Sequence, residues 1–199
     1  MPIEGIYAAV SGLRVNTKRV ANTAHNVANI STPGFVPNRL EQANLAQGGV
    51  QITGSTPQSP GPLMVTDRSL DLAIEGPGFF ALDDGQGGRL YTRAGNFSLN
   101  AQGEMVDPLG RTMAPPFQVP EQATHLNITP QGQIQALGAD GEVLAQGQIQ
   151  IAGFGNAAGL DPVGGNAYRA TEASGPAVMN TPGAAGHGQI VSGALQASG

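Results

Sequence analysis

Residues 3 to 27 carry an apolar repeat at spacings of three and four: Ile3, Ile6, Val10, Leu13, Thr17, Val20, Ala24 and Val27, with Thr17 the one polar member. Such spacing lines side chains along one narrow stripe of an α-helix, the seam of a coiled coil, and the stripe needs another helix to lie against. The helix is expected to begin at Pro2 or Ile3, where proline's missing N–H has no partner to lose and Glu4 sits near the positive end of the dipole. It is expected to end near Asn29, because Ser31-Thr32-Pro33-Gly34 stops it and proline drives Thr32 out of the helical region. About 27 residues span roughly 40 Å. Gly5 and Gly12 each cost up to about 1 kcal/mol relative to alanine. Packing must offset them, and each seam Ile, Val or Leu contributes at most about 1.5–3 kcal/mol when buried. The rest of the chain offers no second long helix. The seam's partner is therefore expected from other chains, or from sequence beyond this one.

The remaining residues read as β-structure. Residues 36–66 include Pro37, Gly48-Gly49, Gly54, Pro57, Pro60, Gly61 and Pro62 without a sustained period, which predicts an extended connector. Loops of that length are often functional or ordered by a partner. Residues 67–188 predict a β-rich domain: Leu70, Leu72 and Ile74 alternate, Gly76-Pro77-Gly78 turns the chain into Phe79-Phe80-Ala81-Leu82, and Leu90 to Arg93, Phe97 and Leu99 follow. Short apolar runs at 126–128, 134–137, 143–144 and 149–151 alternate with glycine turns, the pattern of an antiparallel sheet. A weak internal echo links Gln102-Gly103-Glu104-Met105 to Gln131-Gly132-Gln133-Ile134. Residues 153–188 read as Gly/Ala-rich loop interrupted at Asn166 to Arg169, and 189–199 as one closing strand. The fold class is mainly β, with a long N-terminal coiled-coil-type helix.

Composition limits the functions open to this chain. At 199 residues, with 40% hydrophobic residues, 12% charged, 30 glycines and 15 prolines, it suits one turn-rich folded domain plus an extension. A net charge of −5 with a single lysine argues against nucleic acid, and Arg14, Lys18 and Arg19 read as a solvated helix face. The absence of cysteine excludes disulfides and thiolate-bound metals. No run approaches the ~18 apolar residues of a membrane span. The N-terminus has neither a basic n-region nor a continuous apolar h-region, so export would use a route that removes no standard leader.

No catalytic constellation is legible. His25, His125 and His187 lie far apart without second ligands at metal spacing. Ser11-Gly12-Leu13-Arg14 has arginine where a Ser-x-x-Lys nucleophile needs lysine. Asp83-Asp84, Asp140 and Glu142 border glycine turns, where carboxylates are ordinary turn formers. No enzyme, cofactor or metal is expected.

Three separated motifs carry a resemblance. Asn26-Val27-Ala28-Asn29 with Thr32-Pro33-Gly34-Phe35 is the first. The second is Asp71 to Phe80, then Tyr91-Thr92-Arg93-Ala94-Gly95-Asn96-Phe97, then Gly103-Glu104-Met105-Val106. The third joins Asn166-Ala167-Tyr168, Ala173-Ser174-Gly175, Pro182-Gly183 and Gly193 to Ser198. Together, and in this order, they resemble the bacterial flagellar rod and hook proteins, nearest to the proximal or distal rod branch.

The resemblance implies a structural subunit of the basal-body rod, a hollow axial shaft that transmits torque. The N-terminal helix would line the inner wall and the β-domain would sit outside. Implied partners are other copies, other rod and hook axial proteins, the flagellar type III export apparatus and the rings around the rod. Nucleic acid and membrane insertion are not among them. The residues singled out are the seam, the signature turn (Asn26, Ala28, Asn29, Thr32, Pro33, Gly34, Phe35), and a β-domain set of Ile74, Gly76, Gly78, Phe79, Phe80, Tyr91, Arg93, Gly95, Phe97 and Gly103. Val36 stands where the family commonly has a basic residue. The family's C-terminal partner helix, which follows the Gln196-Ala197-Ser198 equivalent, is absent from this chain. A hook-type axial protein, or a secreted β-rich adhesin, is the alternative.

Overall fold

The apolar repeat forms α1, Pro2–Ala28, in a computed structural model that describes residues 2–31, 35, 37–44, 50–57, 61–184 and 186–198. Two turn bonds, Asn29 N–H to Asn26 O and Ile30 N–H to Val27 O, finish the helix where the sequence predicted its end. Thr32, Pro33 and Gly34 of the signature turn, and the Ile3 side chain, lie outside the described residues.

The segment expected as an extended connector contains paired strands. It folds as an antiparallel hairpin, β1 (Asn38–Asn44) with β2 (Val50–Pro57), in register from Asn38↔Pro57 to Asn44↔Val50 with a bulge at Glu41/Gln42. The bulge and the mostly polar strand sequences erase the period-two signal. The hairpin lies against the helix: Val15 is buried, and the Ser11 hydroxyl donates to Ala8 O at 2.9 Å while accepting the Val50 N–H at 3.2 Å.

After β3 (Leu63–Val65) come β4 (Leu72–Glu75), β5 (Phe79–Asp83) and β6 (Arg89–Thr92). β5 and β6 pair from Phe80↔Thr92 to Asp83↔Arg89. Between them Asp83 and Asp84 form the turn, as predicted. The Asp84 carboxylate accepts the Gln86 and Gly88 N–H groups at 2.8 Å, which lowers its pKa. Next are β7 (Ser98–Leu99), β8 (Met105–Val106), β9 (Met113–Ala114), and a meander of β10 (His125–Ile128), β11 (Gln133–Leu137) and β12 (Val143–Gln148).

The stretch expected to be loop, 153–188, contributes two unexpected strands, β14 (Asp161–Gly164) and β16 (Val178–Asn180), while β13 (Ile151–Gly153) begins in the apolar run 149–151 and β15 (Ala167–Arg169) is the interruption read at Asn166 to Arg169. They join the central sheet in the order β14-β15-β6-β5-β13-β16, with β9 pairing the far end of β5. Strands of three or four residues are too short to show a period. The expected single closing strand is two. β17 (Gln189–Ser192) pairs β4, the chain turns at Gly193, and β18 (Ala194–Gln196) pairs β3.

Alternation along β5 sends Phe80 and Leu82 into the main core with Leu72, Ile74, Phe97, Met105, Ile134, Ile149, Ile151 and Ile190. It sends Phe79 and Ala81 to the opposite sheet face, with Tyr91, Ala152 and Phe154. Phe80 and Phe97 meet edge to face at 5.3 Å, and Tyr91 and Phe154 at 4.9 Å. Each such aromatic pair adds about 0.5–1.5 kcal/mol beyond its area burial.

Candidate assembly interface

The helix has two unlike faces. Ser11, Gly12, Val15, Asn22, Asn26 and Asn29 are buried or half-buried, and Val15 under the hairpin is only 7% exposed. At 100° per residue the predicted seam lies roughly opposite them. There Ile6 is 62% exposed, Val10 42%, Leu13 68%, Val20 63% and Val27 62%, and Thr17 and Ala24 are exposed too. Near its middle the seam opens into a groove of about 640 Å³ lined by Val10, Leu13, Val15, Thr17, Val50 and Ile52, with Arg14 and Lys18 on its border. Large aliphatic side chains thus stand exposed in line over five turns, a contiguous patch rather than scattered single residues.

Phe35, the last signature residue, lies against the helix. Phe35 is buried with its ring 5.5 Å from that of His25, and the Asn29 amide donates to His25 O at 2.9 Å. His25 therefore supports Phe35 from the helix side. Ala28 is the last helical residue.

The β-domain residues fall into two groups. Ile74, Phe80 and Phe97 are fully buried core, Tyr91 is buried on the opposite face, and Phe79 packs against Phe154 and Tyr168 there. Gly95 is required by close approach: its carbonyl accepts the Leu72 N–H at 2.9 Å, and a Cβ would run into Leu72 O. Gly103 has φ +77°, its N–H bonds to Asn100 O and its carbonyl accepts Val119 N–H. Gly132 repeats this with φ +79°, Thr129 O and Ile149 N–H. The sequence echo between the two is thus one turn design used twice, and a Cβ at either would meet the carbonyl opposite.

Gly76 and Gly78 serve Arg93. Their carbonyls accept Nη1–H bonds at 3.0 and 2.7 Å, Ile74 O accepts from Nη2 at 2.8 Å, and Gln196 Oε1 accepts from Nε at 2.8 Å. Arg93 is buried, and burial lowers its pKa to about 10, so it remains a cation at neutral pH. The sequence marked Arg93 only as part of a motif. Its partners lie between 15 and 103 residues away, and only the folded chain assembles them.

Among the described residues no group of three His, Asp or Glu side chains is placed to hold a metal, and no helix is long and apolar enough to cross a membrane. Residues 73–136, which run from β4 to β11 and contain Phe79, Phe80, Arg93, Gly95, Phe97 and Gly103, match the model of the flagellar hook protein FlgE/F/G D1 domain. Across nearly the whole chain, the flagellar basal-body rod protein FlgG of Caulobacter vibrioides is 32% identical, over 98% of this chain and 85% of that protein. The chain belongs to the FlgG family of flagellar basal-body rod proteins. FlgG of Agrobacterium fabrum is 33% identical over 96% of this chain and 82% of its own length, and FlgG of Bacillus subtilis 31% over 98% and 84%. The hook protein FlgE of Rhizobium meliloti is 32% identical, but over only 52% of this chain. FlgG-family members are structural and non-enzymatic, so the chain is a rod structural subunit, and the adhesin reading falls.

Proposed function

We propose that this subunit joins the rod wall by laying the α1 seam against helices of neighbouring axial subunits, and that the interlocked helices carry torque along the shaft. The observation that supports this is the exposure of Ile6, Leu13, Val20 and Val27 on one side of α1 while the chain's own hairpin covers the other. The stripe is a second apolar surface, additional to the face that the hairpin packs.

Charge favours the same arrangement. Arg14, Lys18 and Arg19 make α1 net positive, whereas residues 63–198 hold twelve of the fourteen carboxylates. Subunits with ends of opposite sign attract in a head-to-tail sense, and head-to-tail contacts that do not close on themselves build helical tubes. Neighbouring copies, other rod and hook proteins, and the surrounding rings are the proposed partners. The flagellar type III apparatus is the proposed export route.

Leu13→Asp places a carboxylate on the seam without touching the β-domain. Basal bodies purified from cells carrying it should contain at most a tenth of the wild-type amount of this chain, while the soluble variant keeps the β-sheet circular dichroism of the wild type. A strain without the export apparatus should retain both forms in the cytoplasm. Wild-type levels of the variant in basal bodies would reject the seam as the interface.

A further inference from the structure

We propose that Arg93 is a positioning residue that locks the strand pair β3/β18, through which the chain enters and leaves the β-domain, in one orientation on that domain. Two segments distant from it in sequence, residues 74–78 and Gln196, meet at its guanidinium. Nη1 and Nη2 hold the end of β4 and the 76–78 turn, Nε holds Gln196 in β18, and the Gln196 amide passes the link to Gly61 O, 3.3 Å from Nε2. Arginine only donates, so Oε1 of Gln196 must face it and Nε2 must face Gly61. Beside that contact Ala197 N–H bonds to Pro62 O at 2.8 Å, and Thr66 N–H to Gly193 O at 2.6 Å.

Charge makes this cross-link hard to break in parts. Among the described residues no carboxylate pairs with the buried cation; four neutral oxygens solvate it instead, with the Phe79 ring 6.0 Å from the guanidinium carbon. Removing one acceptor leaves a buried N–H of a charged group unpaired, a larger loss than that of a neutral hydrogen bond. Lysine cannot replace the fork, because one ammonium cannot reach acceptors spread around a plane. β4 and β5 are core strands, whereas β3 and β18 form a two-stranded ladder with Leu63, Met64 and Val65 exposed. Arg93 is thus the point where the core grips a thin stem.

The consequence rests on the rod reading: a subunit that transmits load between α1 and the β-domain must not swivel where the two are joined. The lock itself is a property of the free subunit, so the two can fail separately. The experiment is amide hydrogen exchange on soluble wild type, Gln196→Leu, Gln196→Glu and Arg93→Lys, with each variant also scored for incorporation into basal bodies. Gln196→Leu keeps Arg93's three bonds to the core. Exchange at Thr66, Gly193 and Ala197 should accelerate on the order of tenfold or more, the size a lost charge-assisted hydrogen bond implies. Amides of β5 and β6 should not change. Gln196→Glu keeps an acceptor for Arg93 but loses the donor to Gly61 O, so it should recover part of the protection lost in Gln196→Leu, and Arg93→Lys should recover none. Incorporation of Gln196→Leu should fall below that of Gln196→Glu. Unchanged exchange in Gln196→Leu, or a parallel rise in β5 and β6, would overturn the lock. Wild type missing from basal bodies would overturn the rod reading and leave the lock standing.

Discussion

Individual residues here are held by contacts that sequence spacing cannot express. Gly95 was legible as a motif residue, but the reason for glycine, a carbonyl of Leu72 where a side chain would be, exists only once β4 lies alongside. The same is true of Arg93, whose acceptors are mostly backbone carbonyls and carry no side-chain signature. Phe80 and Phe97 are fully buried, and the division of Phe79, Phe80, Tyr91 and Phe97 between two sheet faces follows from pairing. Tyr91 and Tyr168 give the residue scale a test. Burial raises both phenols above the ordinary 10.0. A folded-state pKa above the unfolded one contributes stability that is present below about pH 10 and lost as pH rises through the folded values. Absorbance titration near 295 nm should show two tyrosines ionising above pH 10 in the native protein, and all ionising near 10 in denaturant. Native and denatured curves that coincide would mean these rings are solvated.

Among the elements, α1 was the most legible because its information is local. The repeat marked its stripe, and Pro2, Glu4 and the Ser31-to-Gly34 stop marked its ends. The hairpin of β1 and β2 was hidden: its strands are polar and bulged, and what stabilises it is the α1 face opposite the seam, a surface that the apolar repeat does not mark. Strands β14 and β16 were missed because three or four residues between glycines show no period, whereas β15 coincides with the interruption read at Asn166 to Arg169. The two helix faces should respond oppositely to truncation. In the free subunit Val15→Ala removes two buried methyl groups and should cost roughly 1.5 kcal/mol of helix–hairpin docking, seen as faster exchange at the Val50 amide. Val20→Ala, on the exposed stripe, should leave that exchange unchanged while still weakening assembly. Equal effects of the two variants on the Val50 amide would refute the two-faced helix.

Taken as a whole, the molecule is a folded β-core gripped by Arg93 at a narrow stem, with a helix whose inner face is covered and whose outer face is bare. Fold class and family were legible because three motif blocks occur in order over almost the entire chain; the relatives in Caulobacter vibrioides and Bacillus subtilis align over 98% of it. The central claim is that the bare face is where the rod is built. The chain contains no cysteine, so Leu13→Cys, Val20→Cys and Val27→Cys each introduce a single thiol on the stripe. The deciding measurement is maleimide labelling of these thiols in the free subunit and in purified basal bodies. Rapid labelling when free and at least about tenfold slower labelling in basal bodies is the predicted result, since burial of a seam excludes the reagent. Thiols that label equally fast in both would leave the seam in water inside the rod and contradict the account.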